Sequence, residues 1–566
     1  MIDKFIELKH YFWHIITIIF SVIICHGLSL RNAFKGDDFR YLNVNYALDF
    51  TSIWQFFVKA PAHHYNPIDK IFNTILFSSL PLDPFWFRVV NLGLLLLCAV
   101  VFYFFLFKLI KKSNVSLLAT ILFIAHPFTA EIVEQITLNI VLINGILTLV
   151  CLTFYQKFLT NKNKIYYGLT ILTYVIGLLS FEGSIMFFVV IFGLDYFSNK
   201  KYFLKQSLAR TLPFLVISII YFLMWKSLVQ DTFVLSEKIG HLAITPVEYI
   251  KTYIHLLAWY FSSFFNPGEI VFIYNLDPKN LSFSLINFII SISFVASLIF
   301  ICIKYRRSLA SYFVLWFAAG LVLVFPASLA HTYMGMVIEP NWFFAYNMGI
   351  YALVAYGLVN VSSKIKGSIY KILIIGVFGY LFIFSQWQHV VGRSPYSYAL
   401  NWLKVCPNNY LALKTLASEH SSVGDYKMAR FYLEKILKIN IISFDIVYSY
   451  GSILVQEGKD VELGEAYLKE AIRMNGECFA CYNSLAIIEK DREHNDNAEK
   501  YYLKALELNP YFNLARINLA DFYNWIGKGN KALEQYQYIL NVSKNKQFQD
   551  EARIKSDRLL RRKDAL

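Results

Sequence analysis

The chain carries two adjacent carboxylates, Asp37 and Asp38, in the run Phe-Lys-Gly-Asp-Asp-Phe-Arg at residues 34–40. This run closely follows the first long apolar stretch, so it is expected at a boundary between water and lipid. A carboxylate there can accept the proton of an attacking hydroxyl group or bind a divalent metal ion. Two adjacent carboxyl groups that are partly desolvated raise the pKa of one of them, which suits a base that works near neutral pH.

Other ionisable side chains recur where apolar stretches end on what we predict to be the same side of a membrane. They come from widely separated segments: Arg40, Arg88, His126, Glu131, Glu134, Glu182, His331, Glu339 and Arg393. Because a charge inside a membrane costs several kcal/mol, such a set favours one functional site. Each residue taken singly has a structural alternative, since Glu182 can pair with a cation and Glu131 can face water.

The composition indicates a membrane protein and argues against nucleic acid as a partner. Hydrophobic residues make up 57% of the 566 residues and charged residues only 16%, against roughly 25% charged residues in average soluble proteins. The formal net charge of +14 reflects Lys and Arg in short loops between apolar stretches, which is the bias expected of cytoplasmic loops. The first apolar stretch has no cleavage-site pattern after it and is expected to span the membrane.

We predict a polytopic helical bundle over residues 1–392, with a first outer loop at 31–84. Its apolar stretches, about eleven in all, are each long enough to cross a hydrocarbon core of about 30 Å. They are 11–30, 86–109, 115–133, 137–156, 165–181, 183–198, 209–228, 283–303, 309–328, 343–361 and 370–388. The Lys-rich loops can all be cytoplasmic only if the apolar stretch 245–265 is re-entrant or lies on the membrane surface.

This arrangement predicts an integral multi-pass protein of a bacterial inner membrane or an equivalent membrane. The N-terminus is then cytoplasmic. The chain beyond residue 392 lies outside the cytoplasm, on the same side as Asp37 and Asp38.

The segment 393–545 repeats every ~34 residues, with small residues where two helices approach closely, which is the tetratricopeptide repeat (TPR) pattern. These small residues are Ala417, Ala429, Gly451, Gly464, Ala471, Ala486, Ala498, Ala505, Ala520 and Ala532. About four repeats are expected, with the charged tail 546–566 as their cap, and the whole chain is therefore predicted to be all-α. Such arrays present a concave groove that binds peptides or proteins. A spacer or an oligomerisation arm is the alternative.

Cys478 and Cys481 form a Cys-x-x-Cys pair in the third repeat. A single pair of this kind lacks the second ligand pair of a zinc site. A local disulfide outside the cytoplasm and simple packing at the repeat junction both remain open, and we prefer packing.

Several runs of the chain resemble the GT-C glycosyltransferases, and in particular the group that joins an O-mannosyltransferase-like membrane part to C-terminal TPRs. The likeness begins at residues 34–45, which contain the two aspartates. It continues in chain order through 84–91, 125–131, 178–182, 339–344 and 393–407. The resemblance implies a GT-C-like transmembrane fold for the first part of the chain.

The resemblance also implies transfer of a sugar, with inversion, from a polyprenyl-phosphate donor to a hydroxyl group of a protein acceptor outside the cytoplasm. The phosphate already activates the sugar, so the acceptor hydroxyl needs a base, for which Asp37 or Asp38 is the candidate. The leaving phosphate needs a cation, and Arg40, Arg88 and Arg393 are the guanidinium groups expected on that side. The other substrate-binding candidates are His126, Glu131, Glu182 and Glu339.

A divalent metal ion, Mg²⁺ or Mn²⁺, is a second option for the leaving phosphate. Its ligands would be Asp38, Glu131 and His126, and we rank it below a metal-free site. Two other functions stay open, namely a non-catalytic membrane-anchored TPR scaffold for envelope proteins and a transporter or lipid flippase. The transporter fits less well, because its charges are expected near the middle of the membrane rather than at one face.

Overall fold

The computed structural model describes residues 2–35, 38, 50–58, 65–198, 204–228, 245–271, 274–276, 281–329, 336–362, 364–439, 442–543 and 546–564. Over these residues the chain is almost entirely helical, with twenty-five α-helices. The exception to the all-α prediction is a short antiparallel pair of strands, β1 (Tyr274–Leu276) and β2 (Met336–Ile338). The chain divides into two compact units, Met1–Asn409 and Tyr410–Leu566.

The first unit contains the helices that form the apolar bundle and its connections. In chain order they are α1 (Ile2–His26), α2 (Phe50–Val58), α3 (Pro67–Ser79), α4 (Pro84–Ile110), α5 (Ser113–Ala125), α6 (Pro127–Glu134), α7 (Asn139–Asn161), α8 (Lys164–Ser180), α9 (Phe187–Ser198), α10 (Leu204–Leu228), α11 (Pro246–Ser262), α12 (Leu285–Lys304), α13 (Leu309–Leu329), α14 (Phe344–Ser362), α15 (Gly367–Val391) and α16 (Pro395–Val405). Tight 3₁₀ turns at Gly27–Arg31, Ile136–Leu138, Glu182–Met186, Pro267–Glu269 and Pro340–Phe343 lie between some of them.

Seven of the described helical segments are long and apolar enough to cross a membrane. They are Tyr11–Arg31, Pro84–Ile110, Ile136–Asn161, Leu204–Leu228, Leu285–Lys304, Pro340–Ser362 and Gly367–Val391. The helices α5 and α6 make an eighth if they form one span, and they meet at an angle of 53°. Pro127 causes this bend, because proline lacks an amide hydrogen and disfavours a helical residue before it.

The predicted count of about eleven spans is therefore not confirmed. The predicted stretches do fall on helices. However, α8 (Lys164–Ser180) and the apolar segment Leu309–Val322 of α13 are shorter than the seven.

The first unit extends beyond residue 392, the predicted end of the membrane part. The reason is α16, which begins with a capping box formed by Ser394 and Ser397. Its Tyr398 and Trp402 side chains are buried, and the Tyr398 hydroxyl donates a hydrogen bond to Glu131. This short helix therefore belongs to the bundle, and the repeats begin at Tyr410.

The second unit consists of four helix pairs and a final helix, as the repeat spacing predicts. They are α17 (Tyr410–Ser422) with α18 (Tyr426–Lys438), α19 (Phe444–Glu457) with α20 (Val461–Met474), α21 (Phe479–Asp491) with α22 (Asn495–Leu508), α23 (Asn513–Trp525) with α24 (Gly529–Val542), and α25 (Lys546–Asp564). Ala429, Ala498 and Ala532 are completely buried where helices meet. At Gly451 a Cβ atom would lie only 2.9 Å from the carbonyl oxygen of Gly464, so the second repeat requires two glycines.

Cys478 and Cys481 are joined by a disulfide. Both are buried in an apolar cluster with Val447, Leu468 and Leu485. The two cysteines are thus cross-linked as well as packed. The sequence alone favours packing without a cross-link.

Candidate functional site

Glu134, the last residue of α6, lies at the centre of a fully buried charged cluster. Its carboxylate lies 3.1 Å from Lys35 Nζ and 3.8 Å from Arg88 Nη1. Asn32 Nδ2 donates to both carboxylate oxygens at 2.8 Å, and His389 Nδ1 is hydrogen-bonded to Oε1. We call these five residues the Glu134 cluster. Since a buried charge is costly unless it is paired and hydrogen-bonded, the cluster holds the residues 32–35 firmly against α4, α6 and α15.

Arg88, in the first turns of α4, fixes the course of the chain after α1. Its Nε donates to the carbonyl of Asn32 at 3.1 Å and its Nη2 donates to that of Ala33 at 2.6 Å. Its Nη1 donates to the carbonyl of Glu134. The sequence predicts that Arg88 binds a substrate phosphate. Instead its guanidinium meets three backbone carbonyls, so Arg88 positions the loop that carries Asp38.

Asp38 is completely buried beside this cluster. One carboxylate oxygen accepts a hydrogen bond from the backbone N–H of Lys35 at 3.1 Å, and the other accepts from that of Thr137 at 3.2 Å. Burial raises the pKa of Asp38 to about 6, although the charge of Arg88 and the two backbone N–H groups oppose that rise. An aspartate with this pKa is deprotonated at neutral pH yet more basic than an exposed one, as a general base requires.

Glu131 lies one helical turn before Glu134 and joins the same region to α16. Its Oε1 accepts from the Tyr398 hydroxyl and, at 3.3 Å, from Gln135 Nε2. The ammonium group of Lys35 lies over the Tyr398 ring, 4.2 Å from its centre. The described residues offer no hydrogen-bond partner to the second oxygen, Oε2.

Two histidines extend the cluster towards the interior of the bundle. His389 Nε2 lies 3.0 Å from His26 Nδ1, and His26 Nε2 lies 2.8 Å from the carbonyl oxygen of Ile124. Together with the bond from His389 to Glu134, these contacts form a series of three hydrogen bonds. The series needs three protons, whereas two neutral imidazole rings supply only two.

Of the other predicted residues near α6, His126 and Arg393 act through local contacts. His126 Nδ1 accepts from the backbone N–H of Phe128 at 3.2 Å and so caps α6. Its ring stacks on Phe128. The side chain of Arg393 is exposed, and its carbonyl accepts from the N–H of Ala33 at 3.4 Å.

Glu182 and Glu339 lie in turns elsewhere in the bundle. Glu182 interacts electrostatically with Lys70 of α3, and so does Asp69, the residue before Lys70. Burial lowers the pKa of Lys70, and the two carboxylates oppose that change. Glu339 accepts a hydrogen bond from Asn341 Nδ2 at 3.1 Å.

The predicted residues Asp37, Arg40 and His331 lie outside the described residues. Within the described ranges, the structure brings together Asp38, Arg88 and Glu131, from the segment that follows α1, from α4 and from α6.

The predicted metal ligands do not form a metal site. Among the described residues there is no group of three or more His, Cys, Asp or Glu side chains arranged to hold a metal ion. Both oxygens of Asp38 face backbone N–H groups, and His126 caps a helix. Asp38, Glu131 and His126 are therefore not grouped as ligands of one metal ion in this structure.

The sequence-based prediction missed three members of the cluster, Asn32, Lys35 and His389. A signal was present for His389, because it directly follows the apolar stretch 370–388 and an ionisable residue at a membrane edge is informative. Lys35 lies in the same run as Asp38 and could have been included on that ground. Asn32 carried no distinguishing pattern.

Comparison with known proteins identifies the repeats. The family model described as "Tetratricopeptide repeat" matches residues 479–512, which cover α21, α22 and the turn before α23. The third of the four helix pairs is therefore a TPR. No curated protein matches the chain.

Two solved structures resemble part of the chain. The MamA protein is 22% identical, with a TM-score of 0.22, and the match covers 27% of this chain and 86% of that one. YrrB, a TPR protein with an unusual peptide-binding site, is 17% identical, with a TM-score of 0.22, over 35% of this chain and 97% of its own. The resemblance of the first 392 residues to GT-C glycosyltransferases stays a prediction.

Proposed function

We propose that this protein is an integral-membrane glycosyltransferase. It would transfer a sugar from a polyprenyl-phosphate donor to a hydroxyl group of a protein acceptor, with Asp38 as the base. The observation that carries this proposal is the burial of Asp38 beside the Glu134 cluster. Four separate segments contribute charged or ionisable side chains to that cluster and Asp38, namely the first outer loop, α4, α6 and α15. A scaffold gains nothing from burying several charges next to a weakly acidic aspartate, since each burial costs several kcal/mol.

In the proposed reaction, the Asp38 carboxylate takes the proton of the acceptor hydroxyl. The acceptor oxygen bonds to the anomeric carbon as the bond from that carbon to the phosphate oxygen breaks. The polyprenyl phosphate leaves with the electron pair, and the configuration inverts. Each carboxylate oxygen has two lone pairs, so the N–H groups of Lys35 and Thr137 leave room for that proton. Arg88 positions Asp38, while Arg40 and Arg393 remain candidates for the phosphate.

The distribution of lysines supports a site outside the cytoplasm. Arg88 lies near the start of α4, a helix of 27 residues that is about 40 Å long, whereas Lys111 and Lys112 follow its end. Likewise His389 lies in the last turn of α15, whereas Lys364 and Lys366 precede its start. Since cationic loops stay cytoplasmic, we place the Glu134 cluster on the opposite side. The chain continues from that end of α15 into α16 and the TPRs, which we propose dock the protein acceptor.

The test is a transfer assay with full-length protein in liposomes. Polyprenyl phosphates carrying a tritiated hexose serve as donors, and envelope proteins serve as acceptors. We expect the wild type to transfer the sugar. The rate of Asp38→Asn should be lower by a factor of about 100 or more, which is the usual loss for a missing general base.

The matched control is Asp195→Asn. Asp195 is as buried as Asp38 and accepts hydrogen bonds from Tyr155 and Ser207. It lies near the end of the bundle opposite to the Glu134 cluster. Its variant is expected to transfer at the wild-type rate. Undiminished transfer by Asp38→Asn would remove Asp38 from the mechanism. If the wild type transfers no label but its repeats bind envelope proteins, the scaffold function is the better account.

A further inference from the structure

Four buried oxygen atoms lie on or near the 3₁₀ turn Ile136–Leu138, which links α6 to α7, and the described residues offer them no hydrogen-bond partner. They are Asn91 Oδ1, Glu131 Oε2, Gln135 Oε1 and Asn139 Oδ1. Each parent residue is 1% exposed or less. Buried polar atoms in native proteins are almost always satisfied by protein, water or ligand. We call this set the acceptor row.

The amide orientations in the row are fixed by their partners. Asn91 Nδ2 lies 3.1 Å from the carbonyl oxygen of Gln135, which can only accept. Gln135 Nε2 lies 3.3 Å from the carboxylate of Glu131. In both residues the NH₂ end is therefore used, and the end left over is an acceptor.

Asn139 is oriented by a longer chain of hydrogen bonds. The Asp69 carboxylate accepts from Asn73 Nδ2 at 2.6 Å, so Asn73 Oδ1 must accept from Asn139 Nδ2, at 2.7 Å. The oxygen of Asn139 is again the atom left over. The three amides of the row therefore present acceptors only.

One buried donor lies on α3, the helix whose Asn73 orients Asn139. Lys70 lies one turn before Asn73 on α3, and its ammonium group also has no hydrogen-bond partner among the described residues. The Glu182 carboxylate is close enough to influence it. A free phosphate group is mainly an acceptor and leaves the row unsatisfied, whereas a metal cation leaves Lys70 unsatisfied. Ordered water and a ligand with several hydroxyl groups each satisfy both, because every O–H group can donate and its oxygen can accept.

We propose that the acceptor row, together with Lys70, binds the hydroxyl groups of the sugar carried by the donor lipid. This inference rests on the proposed transferase function and adds Asn91, Gln135 and Asn139 as specificity-determining residues. The row shares Glu131 with the region around Asp38, since Glu131 contacts Tyr398, over which Lys35 lies. Asp38 itself accepts a hydrogen bond from the backbone N–H of Thr137, which lies between Gln135 and Asn139 in the chain, so the row and the proposed base adjoin the same turn.

The test compares ligands that differ only in the sugar. Full-length protein in nanodiscs is titrated with dodecyl phosphate and with dodecyl phosphomannose, phosphoglucose and phosphogalactose. We expect at least one phosphohexose to bind about 10-fold more tightly than dodecyl phosphate, a gain that one or two net hydrogen bonds supply. Asn139→Leu and Gln135→Leu should reduce this ratio to about 1–3, with dodecyl phosphate bound as before.

The control is Asn144→Leu, which also removes a buried amide from α7. Asn144 Nδ2 donates to the Gly177 carbonyl at 3.1 Å, and Asn144 has no part in the row, so its variant should keep the wild-type ratio. Equal affinities for all four ligands in the wild type would overturn the proposal, as would equal effects of Asn144→Leu and Asn139→Leu. Stabilisation by Ca²⁺ or Mg²⁺ that is lost in Asn139→Leu would also overturn it.

The two proposals fail separately. Asp38→Asn should still bind the phosphohexose while it fails to transfer the sugar. Sugar-dependent binding without any transfer by the wild type would contradict the transferase and leave the row as a sugar site. Transfer by the wild type that is unchanged in Asn139→Leu and Gln135→Leu would contradict the row alone.

Discussion

The two units of this protein use charge in opposite ways. In the bundle, Lys35 and Glu134 form an ion pair whose side chains are at most 2% exposed. In the repeats, Arg430 pairs with Glu434 and Asp460. The exposed fraction of the side chain is 27% for Arg430, 38% for Glu434 and 45% for Asp460. Exposed pairs add little stability, whereas breaking a buried pair leaves an uncompensated charge. Charge in the bundle therefore indicates a site, and charge on the repeats indicates a solvated surface.

The largest expected effect is at the centre of the bundle cluster. Glu134→Gln removes the only carboxylate that contacts both Lys35 and Arg88 among the described residues. We expect unfolding free energy to fall by about 3–5 kcal/mol, measured by denaturant titration in detergent. A loss below about 1 kcal/mol would make the bundle cluster resemble the surface pairs and would undo the comparison.

The next effect is the pH dependence that Asp38 introduces. Its pKa rises from 3.8 to about 6 on folding, so the neutral form is favoured in the folded state. The resulting stabilisation, roughly 3 kcal/mol, is complete below about pH 4 and is lost as the pH rises through about 6. Asn mimics the neutral form, so Asp38→Asn should gain stability relative to the wild type over that range. The difference between the two unfolding free energies, measured at several pH values, checks this. A difference that does not vary with pH would contradict the burial of Asp38.

In the repeats, stability is expected to depend more on the close packing of helices than on charged side chains. Gly451→Ala places a Cβ 2.9 Å from the Gly464 carbonyl oxygen, and overpacking of this kind costs about 1–3 kcal/mol. Gly476→Ala is the matched control, because a Cβ there meets nothing within 4 Å. Thermal unfolding of the two variants compares them. Equal midpoints would mean that the second repeat tolerates separation of its helices.

The smallest effect is expected at the surface of the repeats. Arg430→Ala removes ion pairs with Glu434, Glu457 and Asp460. Because water replaces the lost partners, we expect a loss of at most about 1 kcal/mol, and less in high salt. Thermal unfolding at low and high salt tests this. A loss as large as that of Glu134→Gln would contradict the contrast between the units.

Much of the repeat unit could be predicted from the sequence because its contacts are local. A small residue on one helix meets a small residue on the next, and the spacing records that relation directly. The disulfide was harder to predict from the sequence, since the spacing of Cys478 and Cys481 suits both packing and a cross-link.

The site in the bundle could be predicted only in outline. Types and positions of ionisable residues pointed to Asp38, Glu131 and Arg88. The bond between His389 and Glu134, however, joins residues 255 positions apart, and no periodicity connects them. Nor does a sequence tell which acceptors an arginine will meet, so Arg88 was assigned to a phosphate although it binds backbone carbonyls.

We propose that the buried groups around Asp38 and the acceptor row together form one sugar-transfer site. A structure of the full chain with a dodecyl phosphonate analogue of the hexose donor, which cannot release its sugar, tests this claim. We predict sugar density against Asn139 and Gln135, with the anomeric carbon facing Asp38. Ordered water along the row, with the analogue bound elsewhere or not at all, would contradict the claim.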